Sequence, residues 1–334
     1  MCRVRASSAV IRVISVTRVS ISVFGMHSPP RILTALLLLF LSMKTAAAQT
    51  NAPASAAALS NVVAHAVSAA RAEFPKLKDT QIAVTLVDVR DPARPARASH
   101  RGDVQIYPAS VVKLFYLAAA HRWLEDGRLT STPELSRALS DMIVHSSNDA
   151  THYVLDLLTG TTSGPELPEA ELQTWHEQRN AVNRYFTSLG YTGINANKKP
   201  WGDGPYGRET QASKAFQPSR NLLTTDATAR LLTEIVTRQC VSNPRSGLML
   251  SLLHRDLQRK DKDPDSQTKF TGPALPVGAK LWSKAGWTST TRHDCAYVEL
   301  PDGRKFVLVT FTVDHANEHG ILHAIARKVV EELR

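Results

Sequence analysis

A serine hydroxyl is a weak nucleophile until a base takes its proton, so chemistry is sought first where a serine stands beside a lysine that could be neutral. Ser110 and Lys113 form such a pair in Tyr107-Pro-Ala-Ser-Val-Val-Lys-Leu-Phe-Tyr-Leu-Ala-Ala-Ala-His121. Pro108 is pre-set for a first helical turn, and the Leu114, Leu117, Ala118 spacing is helical. Residues i and i+3 share a helix face, so the Lys113 amine can reach the Ser110 hydroxyl. A helix N-terminus at Ser110 would add backbone donors beside the charge that develops in acyl transfer. Taken by itself, Ser-x-x-Lys also occurs in solvated helices and decides nothing.

Two further clusters are candidates. Ser146-Ser147-Asn148 interrupts two helical patterns, where polar residues ordinarily act as caps, but where side chains can also be aimed into a cleft. Lys284-Ala285-Gly286-Trp287-Thr288 lies at the end of a strand-like run. Its small residues permit close approach of another backbone or a substrate, and the lysine offers an anchor for a carboxylate.

The order Ser-x-x-Lys, Ser-x-Asn, Lys-x-Gly resembles that of the penicillin-recognising serine hydrolases, most closely the class A β-lactamase-like group, over about residues 56–334. Met142 to Leu158, Arg292 to Ala296 and Asn221 to Leu232 are similar to the corresponding family segments. The resemblance implies that Ser110 is acylated, that Lys113 is its base or relay, and that Ser146 passes a proton toward the leaving nitrogen. It further implies that Asn148 holds the substrate amide and that Lys284 steers the substrate carboxylate. The backbone amides of Ser110 and Trp287 would form the oxyanion hole beside Gly286. It implies no cofactor and no metal.

A water-positioning carboxylate is also expected of the family, and Glu209 in Gly207-Arg-Glu-Thr-Gln211 is the candidate, with a solvated Glu209–Arg208 pair as its plain alternative. The chain departs from the family pattern at Ser147, usually Asp, and at Ala285, usually Thr or Ser, which leaves Thr288 or Ser289 to supply a hydroxyl. Trp287 adds bulk beside the pocket. Only 35 residues separate Ser110 from Ser146, whereas Gly160 to Pro205 is expanded. The expected function is an exported serine hydrolase acting on β-lactam or related amides. A cell-wall D,D-peptidase or carboxypeptidase of the same machinery, and a catalytically impaired binding protein, remain open beside it.

These groups must be positioned by a fold that the hydrophobic patterning outlines. Ala56 to Phe74 has helical periodicity, while Gln81 to Val89 and Ala96 to His100 read as strands. Leu129 to about Leu253 is mostly helical. Gly278 to Ser283, Asp294 to Leu300 and Arg304 to Val313 read as strands, with Pro301-Asp302-Gly303 as a hairpin turn and Glu318 to Leu333 as a final helix. Strand-bearing ends around a helical middle predict an α/β (α+β) fold: a mostly antiparallel sheet built from about 56–106 and 276–334, with flanking helices, and an inserted helical part at about 107–275.

Residues 1–48 read as an N-terminal extension followed by a signal peptide from Met26 to Ala48, with 49–334 as the catalytic domain in a secreted or periplasmic setting. The apolar run of the leader is too short for an ordinary membrane span. The chain is formally +10, and six basic residues against no acidic ones in 1–48 account for more than half of this, so no nucleic-acid partner is called for. A small-molecule or peptidoglycan-like substrate and a monomer are expected. Cys240 and Cys295 read as two separate buried thiols rather than a bridge. His315, His319 and His323, spaced four apart, could line one helix face, but with Asn317 as the N-cap His315 falls outside it, and no further ligand completes a metal set.

Overall fold

The computed structural model describes residues 54–259 and 261–333, so the expected signal peptide at Met26 to Ala48 lies outside the described residues. Six strands form one antiparallel sheet: β1 (Ile82–Asp88), β2 (Ala96–His100), β3 (His254–Arg255), β4 (Lys280–Trp287), β5 (Thr291–Glu299) and β6 (Lys305–Val313), in the order β2-β1-β6-β5-β4-β3. The N-terminal strand β1 lies beside the C-terminal β6 in the register Leu86 to Leu308. The sheet therefore closes only after the helical middle has been synthesised.

Both faces of the central strands are buried, which explains why they read as nearly continuous apolar runs. Side chains alternate between two layers. Ile82, Val84, Leu86, Ala296, Val298, Phe306 and Leu308 pack against α1 (Ala56–Glu73) and α10 (Gly320–Glu332). Ala83, Val87, Cys295, Val307, Val309 and Phe311 instead join the core of the helical part. Cys240 and Cys295 are buried and unbridged.

At the centre of the helical part stands α2 (Lys113–Glu125), whose residues from Lys113 to His121 are all buried. It is flanked by α3 (Pro133–Val144), α4 (Asn148–Thr159), α5 (Glu169–Arg179), α6 (Ala181–Ser188), α7 (Gly207–Ala215), α8 (Thr225–Val236) and α9 (Asn243–Leu253). The link between α8 and the sheet is polar as well as apolar. Thr85 Oγ1 on β1 donates to Asp226 Oδ1 at 2.7 Å and lies 2.8 Å from Thr225 Oγ1.

Several elements differ from those expected, among them β5, which begins at Thr291 rather than Asp294. The strand β4 does not stop at Ser283 but continues through Lys284, Ala285 and Gly286 to Trp287, paired along its length with β5. An apolar-pattern reading ends at the first charge, whereas a buried lysine with hydrogen-bond partners extends a strand without interruption. The short strand β3 was not anticipated, since two residues carry no periodicity. The last helix begins at Gly320 after a His319 cap, so Asn317 is not the N-cap. There His315 is bonded to Glu318 and Gln81, and His323 to the Lys269 carbonyl.

Phe306 is fully buried between the sheet and the α1–α10 layer. We expect Phe306→Ala to lower the unfolding free energy by about 3–5 kcal/mol in urea denaturation. A loss below about 1 kcal/mol would show that this layer tolerates a void.

Candidate active site

Ser110 lies in a 3-10 turn, Ala109–Val112, that leads into α2 at Lys113. The turn is entered through Ala109 with φ 45°, a left-handed conformation that non-glycine residues rarely hold. A close backbone contact fixes it from the other side. Any Cβ at Gly286 of β4 would stand 2.7 Å from Ser110 N, 2.8 Å from the Pro108 carbonyl and 2.8 Å from Val111 N. Only glycine lets the end of β4 run against the Ser110 turn. The Tyr107 carbonyl is meanwhile tied to His293 Nε2 on β5 at 2.9 Å.

The junction between α3 and α4 divides its labour. Ser147 is the cap of α4, its hydroxyl accepting from Ala150 N at 3.1 Å. Ser146, at φ 57°, and Asn148 are aimed at Lys113 instead. The Lys113 Nζ donates to the Ser146 carbonyl at 2.5 Å and to Asn148 Oδ1 at 2.8 Å, and lies 3.3 Å from Ser146 Oγ. From the opposite wall Lys284 Nζ donates to Ser146 Oγ at 2.9 Å and to the Ala285 carbonyl at 2.7 Å. The structure thus brings Lys113, Ser146, Asn148 and Lys284 together, with Ser110 placed beside them through the turn and the Gly286 contact. The Ser110 hydroxyl itself makes no hydrogen bond among the described residues.

Both lysines are fully buried. Burial brings the Lys113 amine down to about 7 from its ordinary 10.5. Burial acts first on Lys284 too, followed by the charges of Lys113 and Arg255, and together they hold its amine well below the usual lysine range. A neutral Lys113 has two N–H bonds, which the Ser146 carbonyl and Asn148 Oδ1 can occupy, leaving a lone pair able to accept a proton. Because Asn148 spends its oxygen on Lys113, its amide N–H groups are what it can offer a ligand.

Two positioning residues carry no local sequence signal. Gln267, in the polar loop before β4, donates from Nε2 to the carbonyls of Ile143 and Val144 at 2.7 Å each. Its Oε1 accepts from Ala285 N and Arg255 at 3.2 Å and from Lys284 at 3.4 Å. One amide therefore ties the end of α3, just before Ser146, to β4. Arg255 of β3, also buried, donates to the carbonyls of Ser283 and Ile143. Near them Asp294 has its carboxyl raised to about 6 by burial, against hydrogen bonds from Thr271.

Glu209 sits on α7 with its side chain 3% exposed. Arg208 is not its partner, since that guanidinium donates to the Pro165 carbonyl. Glu209 Oε1 accepts instead from Arg179 at 2.8 Å and Ser163 at 2.9 Å, with Lys199 Nζ 3.7 Å away. Lys199 in turn holds Asp156 at 2.7 Å. Arg179 and Lys199 lie 30 and 10 residues before Glu209, too far for any helical pairing rule to have found them. Thr288 is bound into its own turn, accepting from the amides of Thr290 and Thr291, while Ala285 packs against Phe270 and Leu322. Trp287 is partly exposed beside Phe270.

The sequence profile of the Beta-lactamase enzyme family matches residues 66–333. Among solved structures, a beta-lactamase from Sphaerobacter thermophilus superposes with a TM-score of 0.58 at 21% identity, over 81% of this chain and 96% of that one. The TLA-1 extended spectrum beta-lactamase gives 0.61 at 16% identity, over 81% and 99%. A PBP-A variant in acyl-enzyme complex with penicillin G gives 0.58 at 18% identity, over 82% and 96%. No curated protein is similar enough in sequence to count as a relative.

Removing one partner of a buried ion pair strands the other, at a cost of about 3–5 kcal/mol. We expect Glu209→Gln to destabilise the protein by an amount approaching this range in chemical denaturation, because Arg179 is almost wholly enclosed. A variant as stable as the parent would show that Glu209 does not anchor the segment.

Proposed function

The chain belongs to the beta-lactamase enzyme family, and we propose that it is an exported serine hydrolase that forms an acyl-enzyme through Ser110 with β-lactam or related amide substrates. The observation that carries this reading is the placement of two buried lysines, each with its proton affinity lowered by burial, on one hydroxyl, that of Ser146, next to the Ser110 turn.

The reaction then runs as follows. Neutral Lys113 takes the Ser110 proton as Oγ attacks the carbonyl carbon, and the negative charge moves to the carbonyl oxygen. The backbone amides of Ser110 and Trp287 receive that oxygen, a pair in which one lost donor typically costs about 3 kcal/mol of transition-state stabilisation. Ser146, held by Lys284, hands its proton to the leaving nitrogen as the C–N bond breaks and is reprotonated from Lys113. Asn148 presents its amide N–H groups to the substrate's acyl carbonyl, and Lys284 attracts the substrate carboxylate. Export follows from the leader read at Met26 to Ala48. Among the described residues no helix is long and apolar enough to cross a membrane.

Release of the acyl group needs a water-activating base, and Glu209 is the assigned candidate. One of its oxygens already accepts from Arg179 and Ser163. That engagement favours a second reading, a cell-wall D,D-peptidase type that acylates readily and releases β-lactam slowly. A chromogenic cephalosporin together with a fluorescent penicillin separates the two: turnover supports the lactamase form and stable labelling the peptidase form. An inert, folded protein would defeat both and leave a binding role.

Three outcomes are expected. Ser110→Ala abolishes labelling by the fluorescent penicillin, and a labelled variant would show that another residue is the nucleophile. Gly286→Ala, which drives a Cβ into the backbone of the Ser110 turn, lowers the labelling rate at least tenfold, and an unchanged rate would remove that contact from the site. Finally, a base acts only when unprotonated. The acylation rate should therefore rise with pH through about 7 and level off above, as the neutral fraction of Lys113 saturates. A rate still climbing toward pH 10 would mean an ordinary lysine.

A further inference from the structure

A pocket of about 230 Å³ opens on the side of the site formed by the segment between α6 and α8. Tyr107, Lys198, Lys199, Trp201, Glu209 and Arg220 are among its walls. Tyr107, one of its lining residues, stands three residues before Ser110, so the backbones of the two lie within about 11 Å of one another. An arm carried on the acyl side of a substrate can span that distance.

The charge in this pocket is unbalanced. Its one lining carboxylate, Glu209, is satisfied by Arg179, and Lys199 is satisfied by Asp156 and Ser163. Two cations have no acidic partner within ion-pair distance among the described residues. Arg220 lies with its guanidinium carbon 3.9 Å from the centre of the Tyr107 ring and forms no ion pair among the described residues. The Lys198 amine forms neither a hydrogen bond nor an ion pair there. Its backbone, by contrast, is pinned. Lys198 N donates to Asn221 Oδ1 at 2.9 Å, and its carbonyl accepts from Tyr116 and from Asn221 Nδ2 at 2.8 Å each. A half-buried ammonium with no ion-pair partner, influenced only by the Glu209 carboxylate that Arg179 already holds, gains when an anion arrives. Burial already pulls this amine down to about 8, an effect that a bound carboxylate would reverse.

We propose that this pocket receives a carboxylate carried on the acyl arm of the substrate, with Lys198 as the principal anchor and Arg220 as the second, so that the enzyme selects amides whose acyl side is anionic. The selection rests on the Ser110 acylation reading for its use in catalysis, but not for binding. A β-lactam with a carboxylated arm and a cell-wall peptide with an acidic residue on its acyl side present the same group to it.

Benzylpenicillin and carbenicillin differ by one carboxylate on the acyl arm and supply the test. With Ser110→Ala protein, calorimetry should give carbenicillin a Kd about tenfold lower, the scale of one charge-assisted hydrogen bond. Adding Lys198→Met should erase the difference while leaving benzylpenicillin unchanged, and Lys198→Arg should keep it. Should Lys198→Met not fold, Arg220→Gln should reduce the same preference. Equal affinities in the Ser110→Ala protein, no binding of carbenicillin, or a preference that survives both Lys198→Met and Arg220→Gln would overturn the proposal. Labelling of the parent protein by fluorescent penicillin is read separately. Preference without labelling removes the acylation reading and leaves the pocket, and labelling without preference does the reverse.

Discussion

Two ammonium-bearing side chains share the hydroxyl of Ser146, at 3.3 and 2.9 Å, which places their nitrogens at most about 6 Å apart. Two full charges at that separation repel by about 3 kcal/mol at an effective dielectric of 20, and both side chains are also removed from water. The pair cannot comfortably remain doubly protonated, and neutral Lys113 relieves both costs at once. The same arrangement taxes folding. In the unfolded chain both lysines are protonated at neutral pH, so a fold that lowers their affinity for protons is destabilised by it, for Lys113 most fully below about pH 7, and regains that stability as pH rises toward the ordinary lysine range.

Such a site persists only if its surroundings leave the side chains no alternative position. The surrounding structure does so with backbone contacts and one amide. Gly286 runs against Ser110 N, His293 holds the Tyr107 carbonyl, and Gln267 joins the end of α3 to β4 across the cleft floor. The left-handed residues Ala109 and Ser146 stand immediately before Ser110 and at the hydroxyl that both lysines share, the kind of place where such backbone strain commonly collects. The sheet supplies the rigidity these contacts need, because its central strands are buried on both faces and α8 is tied to β1 by the threonine–aspartate contact. Lys284 is thereby delivered from a strand, Lys113 from a helix and Ser146 from a junction, each with little freedom.

The wall formed between α6 and α8 is organised by charge rather than by apolar packing. Buried Arg179, Lys199 and Glu209 form a network with the half-buried Asp156, and Leu172, Trp175 and Ala212 add only a small apolar cluster nearby. Networks of this kind specify one arrangement strongly, since losing any member strands a charge. The position of the Glu209 carboxylate is therefore set by Arg179, a residue of a different helix.

The sequence determined what is local or periodic. The apolar runs of β1, β5 and β6 located the sheet, the helical spacing after Ser110 located α2, and three short motifs in order named Ser110, Lys113, Ser146, Asn148 and Lys284 as residues to be brought together. The extension of β4 through Lys284 and Gly286 was hidden because a charge normally ends an apolar strand, and here it is buried. That Ser147 is the cap while its neighbours turn inward depends on the path of two helices. Gln267 and Arg255 are ordinary polar residues in an undistinguished loop and a two-residue strand, and the partners of Glu209 lie on other elements. Only the tertiary structure decided these, because burial and hydrogen-bond partnership are properties of the assembled surroundings, and nothing in a residue's own neighbourhood along the chain encodes which distant carbonyl or guanidinium will meet it.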